Sequence, residues 1–394
     1  MALTDDRKKL VYTIRELCRV CYTCVRECPA KAIKIVNGQA DVIAERCIGC
    51  GNCIKVCSQD AKVFLLSRTE VKVLLQSDSK VAALVAPSFP AEFSEIEDYR
   101  IFVGMLRELG FSYIFEVAFG ADLVALNYKE LLEDRSGKGY ISSDCPAIVN
   151  YIRYYHPNLV DNLSPLVSPM VATSRVVRKK LGDKVKLVFI GPCIAKKAES
   201  DEVDEVLTFR ELRGMIEHAG INPEDVAPSE FDPPHAGRGA IFPVSRGLMQ
   251  TVNIFDDLIE GNITVAEGRI GFQEAIKEWE AGSLQGQNLE LLCCEGCIMG
   301  PGMSPGGKRF ERKTFISSYV RNKLTRVQQS DWERDIAEYS SLDLSRSFTP
   351  DDKRNSKPTE DEIGRVLASM GKFAPRDHLN CGACGYDTCL EHAI

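Results

Sequence analysis

The chain has 394 residues, of which 44% are hydrophobic and 27% are charged, and its net charge is −7 at pH 7. This composition is typical of a globular protein with two or three domains. The acidic balance argues against nucleic acid as a partner, since that partner needs a basic face. No run approaches the roughly 18 apolar residues of a membrane span, so we expect no membrane partner.

The N-terminus and the cysteine content predict the compartment. Asp5, Asp6, Arg7, Lys8 and Lys9 are not followed by the apolar core of a secretory signal. We therefore expect a cytoplasmic protein. The chain contains 16 cysteines, and in a reducing compartment such a number favours thiolate–iron chemistry over disulfides.

The first eight cysteines form two identical runs with the spacing C-x2-C-x2-C-x3-C, and the second run begins 29 residues after the first. Such a pair is typical of a ferredoxin with two 4Fe–4S clusters, in which the fourth cysteine of each run binds the other cluster. A zinc ribbon needs only four ligands. We therefore predict an α+β ferredoxin-like module over 1–78 that transfers electrons. The predicted ligand sets are Cys18, Cys21, Cys24 and Cys57 for one cluster, and Cys47, Cys50, Cys53 and Cys28 for the other.

Strand-like runs alternate with amphipathic helical patterns in 79–349. The predicted strands are 81–86, 113–117, 185–190 and 289–293, and the predicted helices include 147–155 and 172–180. This alternation predicts an α/β domain with parallel sheets. Cys193 and Cys293 lie at or just past strand ends, where open α/β sheets bind their ligands.

Four short segments of this domain carry a family resemblance. They are Ala86-Pro87-Ser88, Asp144-Cys145-Pro146, the segment from Gly191 through Cys193 to Lys196, and the C-x3-C pair Cys293 and Cys297. Together they resemble the signature segments of the iron-only (FeFe) hydrogenases, over about residues 80–325 and most of the N-terminal module. The resemblance implies reversible oxidation of H2 to protons and electrons. It also implies an H-cluster, which is a 4Fe–4S cubane joined by one cysteine to a two-iron centre with CO, CN and dithiolate ligands.

The resemblance also implies roles for individual residues. Cys145, Cys193, Cys293 and Cys297 would bind the H-cluster, and Cys297 would bridge its two parts. Lys196 would donate to one cyanide, and Pro87 and Ser88 would contact the other cyanide and the dithiolate. The residues expected to border the cluster are Ser168, Met170, Gly191 and Phe242. Without the motif, Lys196 would be interpreted as a solvated lysine and Cys145 as a buried free thiol. That last interpretation is kept for Cys294.

Several positions depart from the family pattern. Asp144 stands where the family has a proton-transferring cysteine, and the segment expected to carry proton-path carboxylates is Asn127-Tyr128-Lys129-Glu130-Leu131. Gly191 and Leu291 stand where productive members have methionines, and Met170 where they often have glutamine. This pattern resembles the family's H2-sensing branch, for which slow turnover is expected. Asp144 is therefore predicted to be a poorly matched proton relay. The alternative is that it hydrogen-bonds Ser142 or Ser143 and caps the helix that begins near Pro146.

The C-terminal part is predicted to hold a linker over 350–358 and a small partial domain over 359–394 with a helix at 360–370. Cys381, Cys384 and Cys389 follow the spacing C-x2-C-x4-C. This run resembles part of an accessory 4Fe–4S domain of sensory family members, with its fourth cysteine beyond Ile394 and a signalling module after it. The alternative is a disordered tail with redox-labile thiols.

The expected partners are H2, protons, and a redox partner protein or a downstream signalling module. A rival hypothesis is a cytosolic iron–sulfur assembly protein, a homologous type that keeps the cubane ligands without the two-iron centre. Pro87, Ser88 and Lys196 argue against it, because a bare cubane lacks the ligands that they would contact.

Overall fold

A computed structural model describes residues 9–133, 138–254, 261–284, 286–356 and 358–394. Asp5 to Lys8, used above to predict the compartment, lie outside the described residues, as does Lys357 of the predicted linker. Among the residues described, no helix is both long enough and apolar enough to cross a membrane.

The N-terminal module consists of two antiparallel strand pairs around two one-turn helices, as predicted for a ferredoxin-like unit. Its elements are β1 (Val11–Thr13), α1 (Thr23–Arg26), β2 (Ile33–Val36), β3 (Gln39–Val42), α2 (Asn52–Lys55), β4 (Lys62–Phe64) and α3 (Arg68–Leu75). Strand β1 pairs with β4, and β2 with β3. Helices α1 and α2 each follow a residue in the left-handed conformation, Tyr22 and Gly51, so both cysteine runs make the same turn.

A four-stranded parallel sheet with the order β6-β5-β7-β8 forms the centre of the second domain. The elements up to the end of this domain are β5 (Val81–Val85), α4 (Phe89–Glu92), α5 (Tyr99–Glu108), β6 (Tyr113–Glu116), α6 (Val117–Glu133), α7 (Pro146–Tyr155), α8 (Pro169–Leu181), β7 (Lys186–Gly191), β8 (Glu205–Thr208), α9 (Phe209–Ala219), α10 (Gly247–Thr251), β9 (Ile263–Glu267), α11 (Gly268–Glu280), β10 (Asn288–Leu292), α12 (Arg309–Leu324) and α13 (Gln329–Tyr339). Every residue of β5 is buried, because helices cover both faces of a parallel sheet. The predicted α/β class is therefore confirmed, with strand bounds shifted by one residue.

A second parallel pair, β9 with β10, lies apart from the main sheet. Ile141 forms parallel bridges to Leu289 of β10 and to Leu163. The Ser142 amide donates to the Leu289 carbonyl at 2.8 Å. Cys145 therefore follows a chain segment that runs beside β10, whereas Cys193 follows β7 of the main sheet. The C-terminal ends of two different sheets carry the cysteines of this domain.

The predicted linker runs along the surface and is hydrogen-bonded to both preceding parts of the chain. The amides of Asp351 and Lys353 donate to the carbonyls of Arg153 and Tyr154 at the end of α7, each at 3.0 Å. Arg46 of the N-terminal module donates to Asn355 at 2.7 Å. Beyond it, α14 (Glu360–Ser369) and α15 (Cys389–Ala393) pack against each other. The linker therefore brings the C-terminal part close to the N-terminal module.

Candidate functional site

One set of thiols in the N-terminal module surrounds Cys24 on α1. Burial raises the pKa of the Cys24 thiol, Lys62 lowers it, and the neighbouring thiols of Cys21, Cys57 and Cys18 raise it again. Cys57 belongs to the second cysteine run, whereas its three neighbours belong to the first. The structure therefore brings together the crossed set that the spacing predicts.

The other set surrounds Cys53 on α2. Burial raises the pKa of the Cys53 thiol well above its usual value, and the thiols of Cys50, Cys47 and Cys28 raise it further. Cys28 is the residue contributed by the first run. Since Cys21 of the first set is exposed and Cys53 is buried, the second set lies deeper in the molecule.

Three thiols of the α/β domain meet where the two parallel sheets end. Burial raises the pKa of Cys193 to about 12, and the adjacent Cys145 thiol raises it as well. The pKa of Cys297 is also raised, first by burial and then by Cys145 and Cys193. These thiols come from three separate loops, after β7, after the Ile141 segment and after β10.

Cys293 connects this group to the N-terminal module. Its thiol lies against the Cys50 thiol, and the contact lowers the pKa of Cys50 and raises that of Cys293. Cys294 and Cys145 are further thiol neighbours of Cys293. Cys294 is partly buried and lies near Cys193, Cys145 and Cys297. All four predicted ligands therefore lie together, and Cys294 lies among them.

A cavity of about 90 Å³ lies beside Cys297. A single water needs only about 10–15 Å³ measured in this way, so the cavity accommodates a larger group. Its walls include the cysteines Cys145, Cys193 and Cys297 together with six other residues predicted from the sequence, namely Pro87, Ser88, Asp144, Met170, Lys196 and Phe242. The predictions from the sequence therefore include half of the residues that line this cavity.

Ser168 and Gly191 lie close to the cavity rather than on its wall. A Cβ atom at Gly191 would lie 2.6 Å from the Phe189 ring and 2.9 Å from the Ala86 side chain. Phe189, which does line the cavity, thus occupies the space that a larger residue at position 191 would need. The hydroxyl of Ser168, at the start of α8, is buried.

Two residues of the cavity wall carry buried polar atoms with no hydrogen-bond partner among the described residues, namely Ser88 Oγ and Asp144 Oδ1, and the nearby Ser168 Oγ is also unpartnered. Buried polar atoms in proteins are nearly always paired, and an exception calls for an explanation such as a bound group. A ligand with polar atoms at this position would satisfy them.

Lys196 lies on a 3₁₀ turn after Cys193 and is only 9% exposed. Its ammonium forms an ion pair of 2.5 Å with Glu199 and donates to the Asp144 carbonyl oxygen at 3.3 Å. Glu199 is shared with Arg346 at 3.4 Å. The alternative interpretation of Lys196 as a solvated lysine is therefore wrong, because its charge is buried at the cavity.

Asp144 is 7% exposed, and burial raises the pKa of its carboxyl to about 7 even though Lys196 lowers it. The alternative role as a helix cap is wrong. Helix α7 has Cys145 at its N-cap and no side-chain cap. Ser142 Oγ accepts instead from the Leu291 amide, and Ser143 Oγ donates to the Leu166 carbonyl. The hydrogen bonds of these two serine hydroxyls are therefore made with residues other than Asp144.

Two further polar residues near Asp144 were not predicted as functional. Glu290 of β10 is 2% exposed, and burial, followed by the nearby Asp144 charge, raises its pKa to about 8. The Tyr128 hydroxyl accepts from the Ser143 amide at 2.7 Å and also contacts the Asp144 side chain. A glutamate inside the apolar run of β10 was the signal for the first. Tyr128 lies in the segment that was expected to carry the carboxylates of a proton path, and no other feature of the sequence indicated a role for it.

The cysteines at the C-terminus lie in a defined loop that is separate from the cavity. The Gly385 amide donates to the Gly382 carbonyl at 2.8 Å, and the Cys389 amide donates to the Asn380 side chain at 2.9 Å. These bonds involve residues of the segment that carries Cys381, Cys384 and Cys389, and the accessory cluster at these cysteines stays a prediction.

The donor sets fit iron–sulfur clusters. In the described part of the chain, no three His, Cys, Asp or Glu side chains converge on one point as ligands of a single metal ion do. A four-iron cubane binds each thiolate at a different iron atom and so takes more widely spaced ligands. Thiols with raised pKa values do not ionise by themselves when buried, but a coordinating metal deprotonates them.

This combination of a ferredoxin-like module with an α/β domain, each holding groups of cysteines, defines an iron–sulfur protein. The family model described as the iron only hydrogenase large subunit, C-terminal domain, matches residues 79–301, which is more than half of the chain. A model for a 4Fe-4S dicluster domain matches residues 10–58. The chain belongs to the iron-only hydrogenase family.

Its relatives are of two kinds. Iron hydrogenase 1 of Clostridium pasteurianum is 31% identical in an alignment of 292 residues. The alignment covers 62% of this chain and 51% of that protein. The cytosolic Fe-S cluster assembly factor NAR1 of Yarrowia lipolytica is 24% identical over 176 residues, 39% of this chain and 36% of that protein. The chain thus spans about half or less of these relatives. Because both kinds occur, membership of the family leaves the activity undetermined.

Solved hydrogenase structures share the fold. A variant of [FeFe]-hydrogenase HydA1 from Chlamydomonas reinhardtii superposes with a TM-score of 0.60 at 18% identity, over 73% of this chain and 99% of that one. The HydA(deltaEFG) structure gives a TM-score of 0.58 at 18% identity, over 72% of this chain and 99% of that one. At this identity the likeness concerns the architecture alone.

Proposed function

We propose that this protein interconverts H2 with protons and electrons at an H-cluster held by Cys145, Cys193, Cys293 and Cys297. The observation that carries the proposal is the cavity beside Cys297. It adjoins the thiol expected to bridge to a two-iron centre, and the unpartnered buried oxygens of Ser88 and Asp144 belong to its wall. A protein of the assembly type would need the four thiolates but no such cavity.

The cavity residues have complementary roles in this proposal. When bound, the two-iron centre supplies a Lewis-acidic iron and an amine base that together split H2 heterolytically. Lys196 and the Ser88 hydroxyl would hold the cyanides by hydrogen bonds, and the buried ammonium would balance their negative charge. Pro87, Met170 and Phe242 exclude water from the same space.

Asp144 is the proton relay of the proposal. A relay works best when its pKa lies near the operating pH. Burial raises the pKa of the Asp144 carboxyl to about 7. The sequence predicted this direction but also a poor match, because a free aspartate has a pKa of about 3.9. Tyr128 and Glu290 are buried polar residues near Asp144.

Electrons would pass between the cavity and the N-terminal module through the contact of Cys293 with Cys50. The proposed cofactors are two 4Fe–4S clusters in that module, held by the two crossed sets. The exposed Cys21 places the first set within reach of a redox partner protein. Sixteen free thiols favour a reducing, cytoplasmic setting.

We further propose that turnover is slow and serves H2 sensing. Phe189 fills the space beside Gly191 where productive members carry a methionine, and Met170 stands on the cavity wall where they often have glutamine. The C-terminal cysteines add a candidate accessory cluster through which a downstream signalling module would receive electrons.

Infrared spectroscopy of the protein matured with the H-cluster assembly enzymes tests the central proposal. Iron-bound CO and CN absorb where protein does not, so their bands report the two-iron centre directly. We expect these bands after maturation and their absence from the same protein purified without maturation. A known hydrogenase matured in parallel controls for the assembly enzymes. If that control is loaded and this chain shows cubane signals only, the assembly-type function replaces the proposal.

A further inference from the structure

The loop that carries Cys381, Cys384 and Cys389 is docked on the N-terminal module. Lys31 Nζ donates to the Gly385 carbonyl oxygen, and the ammonium lies 4.6 Å from the centre of the Tyr386 ring. Such a cation–π contact adds to the hydrogen bond. A single lysine of the module therefore holds two consecutive residues of the loop.

The backbones of the two parts also approach closely. A Cβ atom at position 385 would lie 2.6 Å from Arg26 Cα and 2.9 Å from the Arg26 carbonyl oxygen. Gly385 also has a φ of +89°, a conformation that favours glycine. Only glycine permits this contact, so the docking depends on the residue type at position 385 as well as on Lys31.

The docking brings the loop to one particular thiol set. The Lys31 amide donates to the Cys28 carbonyl at 3.2 Å, and its ammonium donates to the carbonyl of Gly385, the residue after Cys384. Burial lowers the pKa of Lys31, and the nearby thiols of Cys28 and Cys384 raise it. Tyr386 likewise has Cys384 and Cys28 among the thiols around its hydroxyl. Cys28 is the crossed member of the second set, with Cys47, Cys50 and Cys53.

We infer that the C-terminal loop is a cluster site that exchanges electrons with the second cluster of the N-terminal module, through the Cys28 side, and bypasses the first. One electron leaves the reduced cluster at Cys28 and reduces the oxidised cluster in the loop, and no bond or proton changes place. The second set also contacts Cys293. A single intermediate cluster would then separate the H2 site from the C-terminal loop.

The N-terminal module would then be a branch point for electrons rather than one part of a linear electron path. Its first set includes the exposed Cys21, and its second set contacts Cys293 and lies beside the docked C-terminal loop. As a route for electrons from H2 the inference rests on the proposed function, but the pairing of the two clusters does not. The pairing can therefore be tested whether or not the two-iron centre is present.

Electron paramagnetic resonance of the dithionite-reduced, iron–sulfur-reconstituted chain is the test, because nearby reduced clusters split and broaden each other's signals. Iron analysis of the Cys381→Ser/Cys384→Ser/Cys389→Ser variant should show a loss of about four iron atoms per chain. The interaction between the C-terminal and module clusters should survive in Cys18→Ser/Cys21→Ser, which lacks the first cluster. It should disappear in Cys47→Ser/Cys53→Ser, which lacks the second.

Docking variants keep every cluster ligand in place. Lys31→Ala and Gly385→Ala should retain their iron but lose most of the magnetic interaction, while the exposed Lys34→Ala and the open Gly364→Ala should not change it. The inference is overturned if the triple serine variant keeps its iron, or if the interaction depends on the first cluster. It is also overturned if both docking variants leave the interaction unchanged. Infrared bands, measured separately, decide the proposed function.

Discussion

The ammonium of Lys196 lies 3.3 Å from the main-chain oxygen of Asp144, and both side chains line the cavity beside Cys297. The contact joins the loop after β7 to the loop that follows Ile141, and thus the two parallel sheets. It places a fixed positive charge next to a carboxyl that burial would otherwise keep neutral. Burial raises the pKa of the Asp144 carboxyl, and the Lys196 charge lowers it.

Replacement of Asp144 should change turnover without loss of the cofactor. Asp144→Ala and Asp144→Asn remove the titrating group, so we expect H2 evolution to fall at least about tenfold, since proton transfer by a positioned group contributes about 10²–10⁴ in rate. Asp144→Cys, which restores a thiol, should match or exceed the wild type. The measurement is H2 evolution with infrared bands as the loading control. Unchanged turnover in the fully loaded alanine variant would contradict the relay.

Replacement of Lys196 should affect the two-iron centre before the cubane. Lys196→Ala removes the buried donor and leaves Glu199 with Arg346 alone, so we expect at least about tenfold lower H2 evolution, as for other supporting groups around metal sites. The CN bands should weaken or shift while cubane iron is retained. The exposed Lys180→Ala is the matched control. A normal infrared spectrum in Lys196→Ala would exclude the cyanide contact.

Cys297→Ser should lose the two-iron centre more readily than the cubane, because three thiolates remain for the cubane. The measurements are infrared bands for the former and iron content with paramagnetic resonance for the latter. Cys294→Ser is the control, since its thiol is buried among the same group but is not needed as a ligand. Equal loss of both centres in Cys297→Ser would argue against its bridging role. Loss of the cubane in Cys294→Ser would make Cys294 a ligand.

Glu290 should make the cluster-free chain less stable as pH rises. Its pKa is about 8 in the folded chain, against a usual value of 4.5. Between these values the folded chain retains a proton that the unfolded chain releases, so the free energy of unfolding falls with pH. Glu290→Gln should remove that part of the dependence.

The urea midpoint at pH 5 and pH 8 measures this effect. One pKa unit corresponds to about 1.4 kcal/mol, so Glu290→Gln should reduce the difference between the two pH values by up to a few kcal/mol. Glu274→Gln, on the exposed side of α11, should leave it unchanged. An identical pH dependence in Glu290→Gln and the wild type would show that Glu290 is ionised in the folded chain.

Local spacing made much of the site predictable. The first three cysteines of each N-terminal run lie within seven residues of the chain, and the duplication identified the partner of the fourth. The strand ends before Cys193 and Cys293 followed from apolar runs that a parallel sheet must bury. The cavity residues Pro87, Ser88 and Lys196 were found by resemblance, because their residue types alone are common on protein surfaces.

The environment of each group was not predictable in the same way. The charge state of Asp144 depends on Lys196, 52 residues further along the chain, and on how completely the fold excludes water. Glu290 lies in the predicted strand before Cys293, but its pKa of about 8 follows from its burial and from the nearby Asp144 charge.

The sequence by itself determined which residues can bind iron, because ligand type and short spacing are properties of the chain. Only the tertiary structure decided which of these groups adjoin one another. It placed Cys50 against Cys293 and set Gly385 on Lys31, a residue 354 positions away. Contacts at such separation depend on how whole elements pack, and no local pattern in the sequence encodes them.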